Sequence, residues 1–266
     1  MTFQTAADLN AATIARSFVD ARKSGEALIA YPGERPGDLA AAYRIQDEAL
    51  KLWDLSVGGW KVGRVGEPTA TELGADRLVG PIFSNTIVEV GSAECSMPVF
   101  RDGFAAAEAE FMLRLASPDG RALPANNEEA MDWIDDIRIG IEIASSPYSD
   151  INRDGPCVTI SDHGNNAGLI LGQRVERDLW NDLNSIDVAL GINGETVGEA
   201  SVATMLDGPF GAARFLLANL HARGIEPQPG WWISSGAITG VHEVCPDDRI
   251  VAHFGSVGEV ACRIGP

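Results

Sequence analysis

Along the first 55 residues the apolar positions recur every three to four residues. Ala11, Ile14, Phe18 and Ala21 fall on one face of a helix over residues 5 to 24, and Gly25 supplies its stop. Asp38 precedes Leu39, Ala42, Tyr43, Gln46, Ala49, Leu50 and Trp53, a second 3.6-residue stripe with an N-capping side chain in place. The Pro- and Gly-containing stretch from Tyr31 to Gly37 connects the two. From Gly58 the period shortens, and glycine-rich turns separate short β-type runs. Ile137, Ile139, Ile141 and Ile143 alternate strictly, as do Ile186, Val188, Leu190 and Ile192, whose row ends in the hairpin dipeptide Asn193-Gly194. Pro209 opens a later helix with Phe210, Ala213, Leu217 and Leu220 inside and Gly224 closing it. Arg249 to Phe254 and Val257 to Arg263 read as the last two strands. The pattern predicts an α+β protein with a helical region over residues 1–57 and a strand-rich body over 58–266, acting as one functional unit.

The run from Ala107 to Leu115 is where chemistry enters. Ala109, Phe111, Leu113 and Leu115 face one way, so Glu108 and Glu110 share the other face with their Cα atoms about 7 Å apart. On the isoleucine strand, Glu142 likewise stands on the reverse of the apolar row, with Gly140 beside it. Like charges on a half-buried strand repel unless a cation sits among them, and carboxylates with small neighbours suit Mg²⁺ or Mn²⁺. Taken alone, the same pattern fits solvent-facing glutamates on a sheet.

Composition narrows the classes. The 266 residues are 45% hydrophobic and 22% charged, ordinary globular usage with enough chain for a sizeable core. No apolar run has the length of a bilayer span, and Asp8 and Asp20 interrupt the first 25 residues, unlike a signal peptide, so a cytoplasmic location is expected. Cys95, Cys157, Cys245 and Cys262 form no CxxC pair, which speaks against a zinc knuckle or a disulfide scaffold. A net charge of -18 argues against nucleic acid or anionic membranes as partners. An anionic substrate must then be gathered locally, by a metal or a lysine.

Gly59-Trp60-Lys61-Val62-Gly63, Glu108-Ala109-Glu110, Gly140-Ile141-Glu142-Ile143 and the run from Ile160 through Ser161-Asp162-His163-Gly164-Asn165-Asn166 to Gly168 occur in a telling order. Gly191-Ile192-Asn193-Gly194, Ala218-Asn219-Leu220 and Ser235-Gly236-Ala237-Ile238-Thr239 follow. Over nearly the whole chain this set resembles the 2-keto-4-pentenoate hydratase family of the fumarylacetoacetate-hydrolase superfamily. The resemblance implies that superfamily's barrel-like β-roll behind the N-terminal helices, and a homo-oligomer. It implies that Glu108, Glu110 and Glu142 hold Mg²⁺ or Mn²⁺ and that Lys61 moves protons. Trp60 and the two glycines around Lys61 suggest an enclosed position, where its pKa is expected to fall. The run from Ser161 to Gly168 corresponds to a loop closing the site. Asp162 would orient Lys61 or a water, unless it and the asparagines merely build a turn. Ser161, His163, Asn165, Gly236 and Thr239 are the implied substrate contacts.

The implied reaction is hydration of a 2-hydroxy-dienoate or 2-oxo-enoate in aromatic catabolism. Decarboxylation of a 2-oxo acid of the 4-oxalocrotonate or oxaloacetate type is the alternative. C–C hydrolysis ranks third, because no histidine precedes His163 to form a water-activating pair. A non-catalytic metal- or oxo-acid-binding homologue is the remaining class. Three departures bear on substrate and reaction more than on the metal. Ala144-Ser145-Ser146-Pro147 replaces the family's hydrophobic-Asp-Ser-Arg, Asp76-Arg77-Leu78-Val79-Gly80 lacks its Pro-Asp-aromatic-Gly segment, and His163 stands where asparagine is common.

Overall fold

The computed structural model describes residues 5–90 and 94–265, so the first four residues of the predicted helical region lie outside the described residues. Helix α1 (Ala6–Ser24) starts at a capping box: the Thr5 hydroxyl accepts the Asp8 N–H while the Asp8 carboxylate accepts the Thr5 N–H. Gly25, at φ 74°, ends it in the left-handed conformation. Helix α2 (Leu39–Leu50) is capped by the Asp38 carboxylate, which accepts the Ala41 N–H at 2.7 Å. Ile14, Phe18 and Val19 of α1 meet Ile45 and Ala49 of α2, and this small core closes over Tyr148, Ile151 and Val158 of the body.

The body contains β1 (Val57–Arg64), α3 (Thr69–Leu73), β2 (Arg77–Phe83), β3 (Ile87–Glu89), β4 (Cys95–Pro98), β5 (Phe104–Leu115), α4 (Asn127–Met131) and β6 (Ile134–Ser146). There follow α5 (Pro156–Ser161), β7 (Asn166–Arg174), β8 (Asp187–Ile192), β9 (Glu195–Ser201), α6 (Gly208–Ala222), β10 (Trp232–Ser234), β11 (His242–Glu243), β12 (Arg249–Phe254) and β13 (Gly258–Gly265). One sheet runs β2-β1-β10-β5-β6-β7-β3, with β11 added to β5, and curls into a half-barrel. The other runs β4-β13-β12-β8-β9. The pairs β1/β10, β3/β7 and β4/β13 are parallel and the remaining pairs antiparallel, a mixed architecture quite unlike a doubly wound parallel sheet.

The isoleucine row of β6 is fully buried, as is Phe111 of β5, whose ring meets Phe254 of the second sheet at 5.4 Å between centroids. The reverse face of the larger sheet is also closed, because Ile82, Met112, Leu169, Leu171 and Trp232 pack together on it. The glutamates of β5 and β6 lie on that reverse face, so they do not face solvent. Asn193 and Gly194, at φ 54° and 87°, make the β8–β9 hairpin turn with both residues at positive φ. Gly224, at φ 68°, follows the predicted helix α6.

Candidate metal and substrate site

Register brings the carboxylates together. Strands β5 and β6 pair antiparallel with Glu108 opposite Glu142 and Glu110 opposite Gly140. A side chain at position 140 would meet Ile170 O and Met112 Cγ, each at 2.6 Å, so only glycine leaves this corner open. One ligand oxygen from each of Glu108, Glu110 and Glu142 lies within 4.8 Å of the others, and the three residues are 5%, 0% and 0% exposed. Glu110 Oε2 accepts from the Ser234 hydroxyl at 2.5 Å and from Gly236 N–H at 2.8 Å. Glu110 Oε1 has no partner among the described residues. Glu142 Oε1 accepts from Asn166 Nδ2 at 2.9 Å and pairs with Lys61 Nζ at 3.0 Å.

Three buried carboxylates with one lysine are an unbalanced set. Burial pushes the Glu108 carboxyl up to about 7, with Lys61 pulling against it and Glu142 adding to it. Burial, then Glu142 and Glu108, hold Glu110 well above the ordinary carboxylate range. A hard divalent cation removes the repulsion and gives the orphaned Glu110 oxygen a partner, whose absence otherwise costs about 1–3 kcal/mol. The all-oxygen donor set therefore fits Mg²⁺ or Mn²⁺. For Lys61, burial acts to lower the pKa, but the fields of Glu142, Glu108 and Glu110 outweigh it and raise the value above that of an ordinary lysine. The expected fall is thus reversed while the carboxylates carry their charges.

Asn165 accepts from Lys61 Nζ at 3.2 Å, and the segment that carries it is threaded deep into the body. His163, Gly164 and Asn165 have φ of 58°, 65° and 56°. Residues 161–166 are all buried, so the stretch predicted to close the site is an inner wall and not a surface lid. It reaches Lys61 because β2 offers a glycine: a Cβ on Gly80 would stand 2.1 Å from His163 O. Replacing Gly80 with alanine is expected to cost about 1–3 kcal/mol of stability. The displaced wall should lower turnover as well, and urea unfolding beside an activity assay checks both.

The other predicted contacts divide between two sides of that wall. Asn165, Gly236 and Thr239 line a cavity of about 910 Å³, together with Lys61 and Glu108. The Gly236 N–H, expected to hold a substrate oxygen, is engaged by Glu110 instead. Thr239 Oγ1 lies 3.2 Å from His242 Nε2. Ser161 and His163 are behind the cavity. The Ser161 hydroxyl lies 2.9 Å from Tyr31 OH and donates to Val158 O, while His163 Nε2 accepts from Trp53 Nε1 at 3.1 Å. Asp162, expected beside Lys61, is held by Arg22 at 2.5 Å, because the left-handed turn after it sends its carboxylate toward α1. Sequence reasoning missed Arg22, Asn166, Ser234 and Ser235. The hydroxyl of Ser235 is buried on the cavity wall with no partner among the described residues, and so is free to meet a ligand. Lys61, Arg64, Arg77 and Arg153 line the cavity with Glu67 and Glu108, but Lys61 is paired with Glu142, Arg77 with Asp76 and Asp207, and Arg153 with Asp150, so Arg64 is the wall cation without an ion pair among the described residues. In a chain with 20 basic and 38 acidic residues, Arg64 and the Ser235 hydroxyl are the wall groups left open to an anionic ligand.

No protein-family model matches the chain. Among curated proteins it is 25% identical over 255 residues to the 2-keto-4-pentenoate hydratase of Paraburkholderia xenovorans (strain LB400), covering 92% of this chain and 91% of the relative. It is 28% identical over 123 residues to the 4-oxalocrotonate decarboxylase of Pseudomonas putida, a match that spans 46% of each protein. Among solved structures, 4-oxalocrotonate decarboxylase from Pseudomonas putida G7, complexed with magnesium and adipate, superposes with a TM-score of 0.82 at 20% identity over 98% of this chain and all of that one. Fumarylpyruvate hydrolase from Pseudomonas aeruginosa, in complex with Mn²⁺ and pyruvate, gives 0.57 at 15% identity over 80% of this chain and 92% of that one. The chain therefore has a fumarylacetoacetate-hydrolase-like fold and is a homologue, at low identity, of proteins named 2-keto-4-pentenoate hydratase and 4-oxalocrotonate decarboxylase.

Proposed function

We propose that this chain is a divalent-metal-dependent lyase that hydrates a small 2-oxo-enoate of the 2-keto-4-pentenoate kind in aromatic catabolism, as a cytoplasmic homo-oligomer. The observation that carries the reading is the convergence of Glu108, Glu110 and Glu142 with Lys61, where Lys61 and Glu108 form part of the wall of a cavity of about 910 Å³. In this reading the three glutamates hold Mg²⁺ or Mn²⁺. When bound, the cation supplies the charge that offsets them and polarises a 2-oxo acid carbonyl. With the carboxylates neutralised, burial is the main influence left on Lys61, and it lowers the pKa toward the range useful for proton exchange. Asn165 holds the ammonium in place; Lys61 would deliver a proton to a dienol carbon and recover one from the 2-hydroxyl as the 2-oxo form appears, and water would then add its OH and its proton across the conjugated double bond. Ser235 Oγ is the free donor for a substrate oxygen, and Arg64, which has no ion pair among the described residues, is the wall cation open to the anion.

Decarboxylation is the second reading, supported by the 28% match to a 4-oxalocrotonate decarboxylase and by Arg64 on the wall, open to a second carboxylate. C–C hydrolysis has less support, since no histidine lines the cavity among the described residues. Metal analysis followed by assays with 2-keto-4-pentenoate and 4-oxalocrotonate separates the readings. Product gaining water without CO₂ release supports hydration, CO₂ release supports decarboxylation, and tight metal without turnover supports a binding protein. In the same assays Lys61→Ala is expected to lower kcat about 10²–10⁴-fold. Mg²⁺ affinity should be kept or tightened, because the ammonium competes for Glu142. Equal loss of Mg²⁺ and activity would show that Lys61 is not a proton carrier.

A further inference from the structure

We infer that Arg22, on the N-terminal helix, is a positioning residue for the carboxylate site, acting through Asn166 on Glu142. Its side chain is only 10% exposed and its donors reach three segments of the body, the end of α5, β6 and β7. Nε and Nη2 grip the Asp162 carboxylate at 2.5 and 2.9 Å, Nη1 donates to Asn166 O at 3.0 Å, and Nη2 also donates to Ser145 O at 3.0 Å. Ser145 lies three residues beyond Glu142 on β6, and Asn166 is the first residue of β7, paired with Ala144. The register between β6 and β7 slips between Ile143 and Ala144, so backbone pairing alone leaves this end loosely specified. The guanidinium ties the two strands together on the Ala144–Asn166 side of the slip.

From there the path to the site is one residue long. With its carbonyl held by Arg22, Asn166 directs Nδ2 at Glu142 Oε1, 2.9 Å away, the same oxygen that meets Lys61. After Glu142, β6 continues Ala144, Ser145 and Ser146 and offers no charge of its own, so the cation is imported from α1. A planar fork suits this task and a lysine does not, because several acceptors in different directions must be met at once. Helix α1 is thus part of the site's frame.

The inference rests on reading Glu142 as a ligand of the cation, and the test keeps the two apart. Mg²⁺ affinity by calorimetry, with kcat and KM, is measured on full-length wild type, Arg22→Ala, Arg22→Lys, Asn166→Ala and the Arg22→Ala/Asn166→Ala double variant. Arg22→Ala should weaken Mg²⁺ about 10–100-fold, as loss of a partner behind a metal ligand does. Arg22→Lys should not restore it, and low-millimolar guanidinium should restore part of it. In the double variant the loss should match that of Asn166→Ala alone, since both changes cut one path. Asn166→Ala keeps the backbone carbonyl that Arg22 grips, so it tests the same path if Arg22→Ala fails to fold. Additive losses, or wild-type Mg²⁺ affinity in Asn166→Ala, would overturn the inference alone. Wild-type protein that binds no Mg²⁺ would remove the reading of the glutamates and the inference with it.

Discussion

Glu142→Gln is expected to abolish Mg²⁺-dependent turnover while leaving the fold intact. The amide keeps the size of the carboxylate, and its oxygen can still accept from Asn166 and Lys61 while its nitrogen faces the Ser234 hydroxyl, 3.2 Å from Glu142 Oε2. No hydrogen-bonding group is left without a partner; Lys61 loses its ion pair with Glu142 but keeps the fields of Glu108 and Glu110, and one of three mutually repelling charges disappears. The metal-free variant should therefore still fold, with the lost Lys61–Glu142 attraction set against the relieved repulsion among the glutamates. Changes behind a metal ligand shift affinity about 10–100-fold, so loss of a ligand charge should exceed about 100-fold. The rise in melting temperature that Mg²⁺ gives wild type should vanish. If the three glutamates act as one unit, Glu110→Gln with Glu142→Gln should cost little more activity than either change alone. A Glu142→Gln protein with near-normal Mg²⁺ affinity and turnover would remove this glutamate from the site.

That triad was legible because strands repeat every two residues. The apolar rows of β5 and β6 fix which way Glu108, Glu110 and Glu142 point, with no knowledge of the partner strand. The pairing of Glu108 with Glu142 was not legible, since register is set by the whole sheet. Strands β2 and β10 also escaped notice: Arg77–Phe83 and Trp232–Ser234 are buried on both faces and show no alternation. Around residue 163 the sequence misleads for a sharper reason. Three consecutive positive φ values at His163, Gly164 and Asn165 break any simple alternation of faces, so Asn165 meets the cavity while Asp162 and His163 turn to the helices. Arg22 carried no local signal at all, because its partners lie more than 120 positions away.

Asp162→Asn is expected to destabilise the protein by about 3–5 kcal/mol at neutral pH, the cost of leaving the buried Arg22 charge unpaired. It should also remove much of the protein's acid lability. Burial acts to raise the Asp162 pKa, but Arg22 and the bond from His163 outweigh it and hold the carboxyl at about 2. Its stabilisation is thus complete above the ordinary value of 3.8 and fades as pH falls through about 2. The shift amounts to about 2–3 kcal/mol. His163 works in the same direction. The Trp53 indole can only donate, so His163 Nε2 accepts and Nδ1 carries the proton toward Asp162, in a neutral ring. Burial lowers its pKa, so its contribution is intact above 6.5 and erodes as pH falls through the depressed folded value. Glu108 and Glu110 run the opposite way: their raised values favour the metal-free fold below the ordinary 4.5 and lose that effect as pH rises. The measurement is therefore a difference, metal-free wild type minus Asp162→Asn in urea unfolding at each pH from 7 to 2, in which the glutamate contributions cancel. The difference should hold or widen down to about pH 4, because only the variant deprives His163 of the Asp162 charge, and then shrink steeply. A difference that stays level down to pH 2 would mean that Asp162 is not held as the anion of a buried pair, and that Arg22 finds its fixed position by other means.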